Sequence, residues 1–108
     1  SVITSISNDF GYLSVFTRQV EALANKDDVL ITISTGGSSP NIISALKLAK
    51  ELDCRTIGFS GKDGGAFNDL CDVNLLVASD DTPRIQEMHI LIGHTICQLI
   101  DNAFIDSN

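Results

Sequence analysis

Val29 to Asn41 reads VLITISTGGSSPN. The run VLITI is short, β-branched and uncharged, which predicts a buried strand over Val29–Ile33. STGGSS follows as a loop over Ser34–Ser39. Pro40 suits the first turn of a helix, and Ile42, Ile43, Leu46, Leu48 and Ala49 carry that helix to about Leu52. A strand, a glycine-bearing loop and a helix in this order make the first half of a βαβ unit, and the rest of the chain repeats the pattern.

Downstream, RTIGF predicts a strand over Arg55–Phe59, SGKDGG a turn-rich loop over Ser60–Gly65, Ala66–Leu70 a short helix, and VNLLVA a strand over Val73–Ala78. A polar loop, Ser79–Pro83, then leads into one long helix from Arg84 to about Phe104. Upstream, SVITSIS reads as the end of a strand over Ser1–Ser7, and Asn8-Asp9 is a helix-start signal. Phe10, Leu13, Phe16, Val20 and Leu23 recur at helical spacing with Arg18 and Glu21 on the other face, before a polar turn at Asn25–Asp28. Strands apolar on both faces, alternating with helices, imply a doubly wound parallel sheet in a three-layer α/β/α sandwich. Ligands in such sheets sit at the carboxyl ends of the strands. The loops to inspect are therefore Ser7–Asp9, Ser34–Ser39, Ser60–Gly65 and Ser79–Pro83.

Seven Lys and Arg against fourteen Asp and Glu in 108 residues give a formal charge of −7. That balance disfavours a nucleic-acid or anionic-membrane surface. An apolar fraction of 44% suits a globular chain. No apolar run is long enough to span a bilayer. Cys54, Cys71 and Cys97 have neither disulfide nor metal-finger spacing, so they read as buried reduced thiols, which points to a cytoplasmic protein. The chain begins at Ser1 on a segment that already reads as a strand, and the expectation is the C-terminal part of a longer polypeptide.

In the Ser34–Ser39 loop, Gly36 and Gly37 let the backbone turn tightly and approach a ligand. Ser34, Thr35, Ser38 and Ser39 each carry a hydroxyl able to donate a hydrogen bond. The helix that follows points its free N–H groups back at the loop. One hydroxyl would serve as a helix cap; four with two glycines suggest an anion cradle, a phosphate above all. The nucleotide-binding pattern GxxxxGK[ST] is absent. On the last helix Ile85, Met88, Ile92, Ile96 and Leu99 form an apolar stripe, broken by Gln86, His89 and His94. His89 reads as an ordinary buried histidine, and the residues alone raise His94 only slightly above that.

ISTGGSSPN resembles the phosphosugar-binding loop of the sugar isomerase (SIS) domain. SNDFG at Ser7–Gly11, SGKDGG at Ser60–Gly65 and RIQEMHILIGH at Arg84–His94 are similar to stretches of the phosphoheptose isomerases, and the resemblance runs nearly from end to end. It implies a C-terminal portion of a single SIS domain over 1–108, without the central strand that the family's N-terminal half supplies. It also implies conversion of sedoheptulose 7-phosphate to glycero-manno-heptose 7-phosphate for bacterial heptose and lipopolysaccharide synthesis, by a homotetramer with active sites between subunits. Substrate contacts carried over are Ser34, Thr35 and Ser39 for phosphate, with Gly36 in the same loop, Asn8 and Asp9 for the sugar, and Gln86. Gln86 and His94 match metal ligands, usually of zinc, and His94 matches one member of the acid/base pair. The other two ligands, a His and a Glu, follow a GNGGS-type loop that this sequence lacks, so the 108 residues alone are expected to be inactive.

Eight residues along a helix rise about 12 Å and turn the two side chains about 80° apart. Gln86 and His94 of one straight helix would barely span a shared ion, so a site joined from different subunits, or a bent helix, is expected. A second class of reading is a non-catalytic SIS-type protein like the one that binds the replication initiator DnaA. It shares an RIQEMH-like helix but characteristically lacks the second histidine, which is present here as His94. A phosphosugar-sensing regulator is a third, and the DNA-binding module it would need is not visible.

Overall fold

The computed structural model describes residues 15–106. The strand expected over Ser1–Ser7 and the helix start at Asn8 and Asp9 lie outside the described residues. Within them the elements run α1 (Val15–Leu23), β1 (Val29–Ile33), α2 (Pro40–Glu51), β2 (Arg55–Gly61), α3 (Phe67–Leu70), β3 (Val73–Val77) and α4 (Thr82–Asp106). The three strands form one parallel sheet in the order β1-β2-β3. Ile31 pairs with Ile57 and Ile33 with Phe59. Phe59 pairs in turn with Leu75 and Gly61 with Val77. β2 thus runs two residues beyond the expected Phe59, because Ser60 and Gly61 still have partners in β3.

Strand parity sorts the helices. Leu30 packs against two buried clusters, one of Val20, Ala45, Ala49 and Cys54, the other of Leu46, Phe67 and Cys71. Phe67 and Cys71 also lie over Gly58. α1, α2 and α3 therefore cover the even-numbered face. On the odd-numbered face Ile85 of α4 sits so close to Gly61 that a β-carbon there would lie 2.6 Å from it. Helices on both faces give the expected layered α/β architecture. Inside it, Asp72 accepts the Thr56 N–H at 2.9 Å and its hydroxyl at 3.3 Å, while Thr56 Oγ1 accepts the Asp72 N–H at 2.9 Å. The Ser60 hydroxyl donates to Asn74 Oδ1 at 2.7 Å.

Several expectations need correction. β1 is not buried on both faces: Val29, Ile31 and Ile33 are about half exposed, because α4 crosses β2 and β3 rather than β1. Leu23 is exposed, since Phe16, Val20 and Ala24 at four-residue spacing take the inward face of α1. Among the described side chains of α4 only Ile85 and His89 are buried; Met88 and Leu99 of the expected stripe are exposed. The sheet is short and the helix is long, so the contact selects one i, i+4 pair near its start. Cys54 and Cys71 are buried as expected, but Cys97 is exposed, and all three are free thiols. Burial pushes the Cys54 and Cys71 thiols up, and the carboxylates of Asp28, Asp53 and Asp27 add to this at Cys54. Among the described residues no helix is long and apolar enough to cross a membrane.

Candidate functional site

The Ser34–Ser39 loop hangs from the carboxyl end of β1 and is tied to β2 by the Ser34 N–H, which donates to the Phe59 carbonyl at 2.9 Å. The Gly37 N–H is shared between the carbonyl of Ser34 at 3.2 Å and its hydroxyl at 3.1 Å. Gly37 has φ +68°, and a β-carbon there would collide with the carbonyl oxygen of Gly64. The loop is thus clamped onto the Gly61–Gly65 turn, and the Gly37 carbonyl accepts the Phe67 N–H at 3.1 Å. Ser38 serves the same clamp, its hydroxyl accepting the Ala66 N–H at 3.2 Å. Of the four hydroxyls expected to face an anion, Ser38 thus also serves packing, as an acceptor that keeps its own proton.

Ser34 and Ser39 are left as a pair, their hydroxyl oxygens 3.0 Å apart. One donates to the other, which leaves a hydroxyl proton for an outside acceptor. Ser39 stands at the N-cap of α2, yet its side chain makes no capping bond. Capping therefore does not account for this serine. Gly36 has nothing within 4 Å of where a β-carbon would be, so that side of it faces open space, while its carbonyl lies against Gly65. Asn8 and Asp9 lie outside the described residues.

Between the loop and α4 lies a cleft of roughly 490 Å³. Ile33, Thr35 and Phe59 line it from the strand ends, and Gln86, His89, Ile90, Gly93 and His94 from the helix. It exists because α4 leaves the odd-numbered face of β1 uncovered. Thr35, Gln86 and His94 are brought to one cavity, although His94 follows Thr35 by almost the whole remaining fold. Gln86 and His94 are exposed, and their side chains make no hydrogen bond to any described residue. Both project from one unbroken helix. A metal would find an amide oxygen and an imidazole here, half of the four donors zinc takes. Among the described residues no group of three or more His, Cys, Asp or Glu stands close enough to hold an ion. The two donors fit one side of a metal site and do not make a whole one.

His89, read from the sequence as an ordinary buried histidine, is buried in the structure. It is 4% exposed, its Nε2 lies 2.8 Å from the Ser60 carbonyl oxygen, and its Nδ1 is buried with no partner. Its four-residue spacing from Ile85 was the available signal, since those two share one face of the helix.

A parallel α/β sheet with a hydroxyl-rich, cation-free loop beside a cleft at its strand ends has the layout of an anion-binding α/β domain. The family model described as the SIS domain matches residues 1–61, and the chain belongs to the SIS domain family. A phosphoheptose isomerase from Aliarcobacter butzleri is 66% identical over 102 residues, covering 94% of this chain and 54% of that protein. Phosphoheptose isomerase 1 from Campylobacter jejuni is 62% identical over 104 residues, covering 96% and 56%. Among solved structures, a phosphoheptose isomerase from Francisella tularensis superposes with TM-score 0.90 at 41% identity, covering 94% of this chain and 55% of the other. Phosphoheptose isomerase GmhA from Neisseria gonorrhoeae gives 0.90 at 45%, covering 94% and 56%. The chain spans about half the length of the curated relatives it matches.

Proposed function

We propose that this chain carries the phosphate cradle and one side of the active site of a phosphoheptose isomerase, which interconverts sedoheptulose 7-phosphate and glycero-manno-heptose 7-phosphate. The observation that supports this best is the convergence of Thr35, Gln86 and His94 on one cleft beside the paired hydroxyls of Ser34 and Ser39. Both relatives and both solved neighbours carry the name phosphoheptose isomerase.

Aldose–ketose isomerisation moves a proton between adjacent carbons and another between adjacent oxygens. Ser34, Thr35 and Ser39, with the backbone at Gly36, hold the terminal phosphate. Fixing that end presents the carbonyl end of the chain to α4. His94 lies in the cleft with its imidazole uncommitted, so it is free to exchange a proton with a substrate oxygen. The Gln86 amide offers N–H donors and a carbonyl acceptor to the sugar. Asn8 and Asp9 are the proposed contacts to its hydroxyls. Gln86 and His94 would also hold a zinc ion, completed by donors beyond the described residues. Zinc, when bound, supplies Lewis-acid stabilisation of the negative charge that develops on the substrate oxygens. The reading includes a cytoplasmic homotetramer serving heptose supply for the cell envelope.

The test is isomerisation of sedoheptulose 7-phosphate by the full-length protein and its His94→Asn variant. Loss of an acid/base group costs about 10²–10⁴-fold in rate, and kcat is expected to fall by that much in a protein that remains folded. A variant that turns over at the wild-type rate would remove His94 from the chemistry, and a wild-type protein without turnover would point instead to a non-catalytic binding protein.

A further inference from the structure

The least exposed polar residue of α4 is one to which the proposed chemistry gives no task. His89 meets a carbonyl through Nε2, and a carbonyl only accepts, so Nε2 must carry the proton. Nδ1 is buried and has no partner among the described residues, so a proton there would have no acceptor among them. The ring is therefore the Nε2–H tautomer. It packs against Phe59 with centroids 5.8 Å apart and planes tilted by 51°. One turn earlier Ile85 fills the space above Gly61. α4 thus meets the carboxyl end of β2 through Ile85, the tilted contact of the His89 and Phe59 rings, and one hydrogen bond.

Apolar contact is non-directional. Ile85 resists separation of helix and sheet but tolerates small rotation and sliding. A hydrogen bond to one carbonyl tolerates neither. The same end of β2 holds the phosphate loop, because Phe59 accepts the Ser34 N–H. Gln86 precedes His89 by three residues and His94 follows it by five, and neither side chain has a hydrogen bond of its own to the described residues. Their places are set by the helix alone.

We propose that His89 is a positioning residue, whose hydrogen bond to the Ser60 carbonyl fixes the rotation and register of α4 on β2 and so places Gln86 and His94 relative to the Ser34–Ser39 loop. Its kinetic consequence rests on the isomerase reading; the positioning itself does not. Glutamine puts its amide nitrogen about as far from the backbone as imidazole Nε2, whereas asparagine reaches only as far as Nδ1. In the full-length protein, His89→Gln is expected to keep kcat within about threefold. His89→Asn and His89→Leu are expected to lose about thirtyfold, the order of effect that an ångström of misplacement produces. KM should change less than kcat throughout, because the phosphate loop hangs from β1 and is tied to β2, and among the proposed substrate contacts only Gln86 and His94 lie on α4. Nitrogen NMR of the wild type should show His89 protonated at Nε2 and bare at Nδ1. The His94 ring resonances should stay in place in His89→Gln and move in the other two.

The proposal is overturned by the Nδ1–H tautomer, by His89→Gln falling together with His89→Asn, or by equal kcat in all three variants. If the leucine and asparagine variants do not fold, the tautomer and the glutamine variant still decide. A wild-type protein that does not isomerise sedoheptulose 7-phosphate would sink the isomerase reading alone, leaving the NMR measurements to judge His89.

Discussion

Gly37 and Gly36 are neighbours with opposite duties. Gly37 occupies the left-handed region at φ +68° with the Gly64 carbonyl against it, while Gly36 has an ordinary φ and open space beside it. Gly37→Ala adds backbone strain to a clash that no flexible side chain can relieve, and should cost at least about 1–2 kcal/mol. Gly36→Ala should stay within about 0.5 kcal/mol. Urea denaturation of both variants in the full-length protein separates them, and equal losses would mean the loop is not clamped as described. The doublet STGGSS announces a tight turn but does not say which glycine makes it, because the colliding atom belongs to a turn 27 positions later in the chain. Asp72 is a second case of a distant partner. The Thr56 N–H holds its carboxyl below the usual range, helped by the Thr56 hydroxyl against a smaller opposing effect of burial. A lowered folded value stabilises the protein fully above the unfolded value of about 3.9, and that stability is lost as pH falls through the folded value. The stability gap between wild type and Asp72→Asn, measured by urea denaturation from about pH 7 down to pH 3, should therefore narrow below about pH 4. A gap independent of pH would show that the charge on Asp72 is not what Thr56 stabilises.

At the scale of elements, β1 and the start of α2 fall where VLITI and Pro40 put them, because both signals are local: branching for the strand, a fixed φ for the helix. What the helix does with Ser39 is not local. Its side chain meets Ser34 across the loop rather than an N–H of α2. An N-cap serine is ordinarily worth about 1 kcal/mol, but here Ser39→Ala should lower stability by less than about 0.5 kcal/mol. Its effect should instead be on KM for the phosphorylated sugar, which should rise several-fold with kcat little changed, as steady-state kinetics would show. A full capping loss with unchanged KM would return Ser39 to the ordinary role. α4 teaches the same distinction. Helical periodicity correctly predicts the element from Arg84 to Phe104, yet the buried pair Ile85 and His89 depends on where a long helix crosses a short sheet. The apolar stripe through Met88 and Leu99 carries no information about that crossing.

Across the whole molecule the mismatch in lengths has a consequence. α4 has 25 residues and β3 only five. At about 1.5 Å and 3.3 Å per residue these span about 37 Å and 16 Å, so half the helix runs past the sheet. Leu99 and Ile105 on that overhang are 62% and 70% exposed, and Ile100 is 49% exposed. A run of large apolar side chains on a helix that also carries Gln86 and His94 suits association between copies, and association would then be coupled to the shape of the cleft. Leu99→Glu in the full-length protein would place a charge in such a contact. Loss of a buried leucine alone costs about 2–3 kcal/mol, which is about a hundredfold in an association constant. Sedimentation velocity should show the variant shifted to smaller species than the wild type at equal concentration, with specific activity falling as the assembly dissociates. An unchanged mass would mean that the overhang is covered by another part of the same chain, and activity retained in a dissociated form would separate the cleft from the assembly.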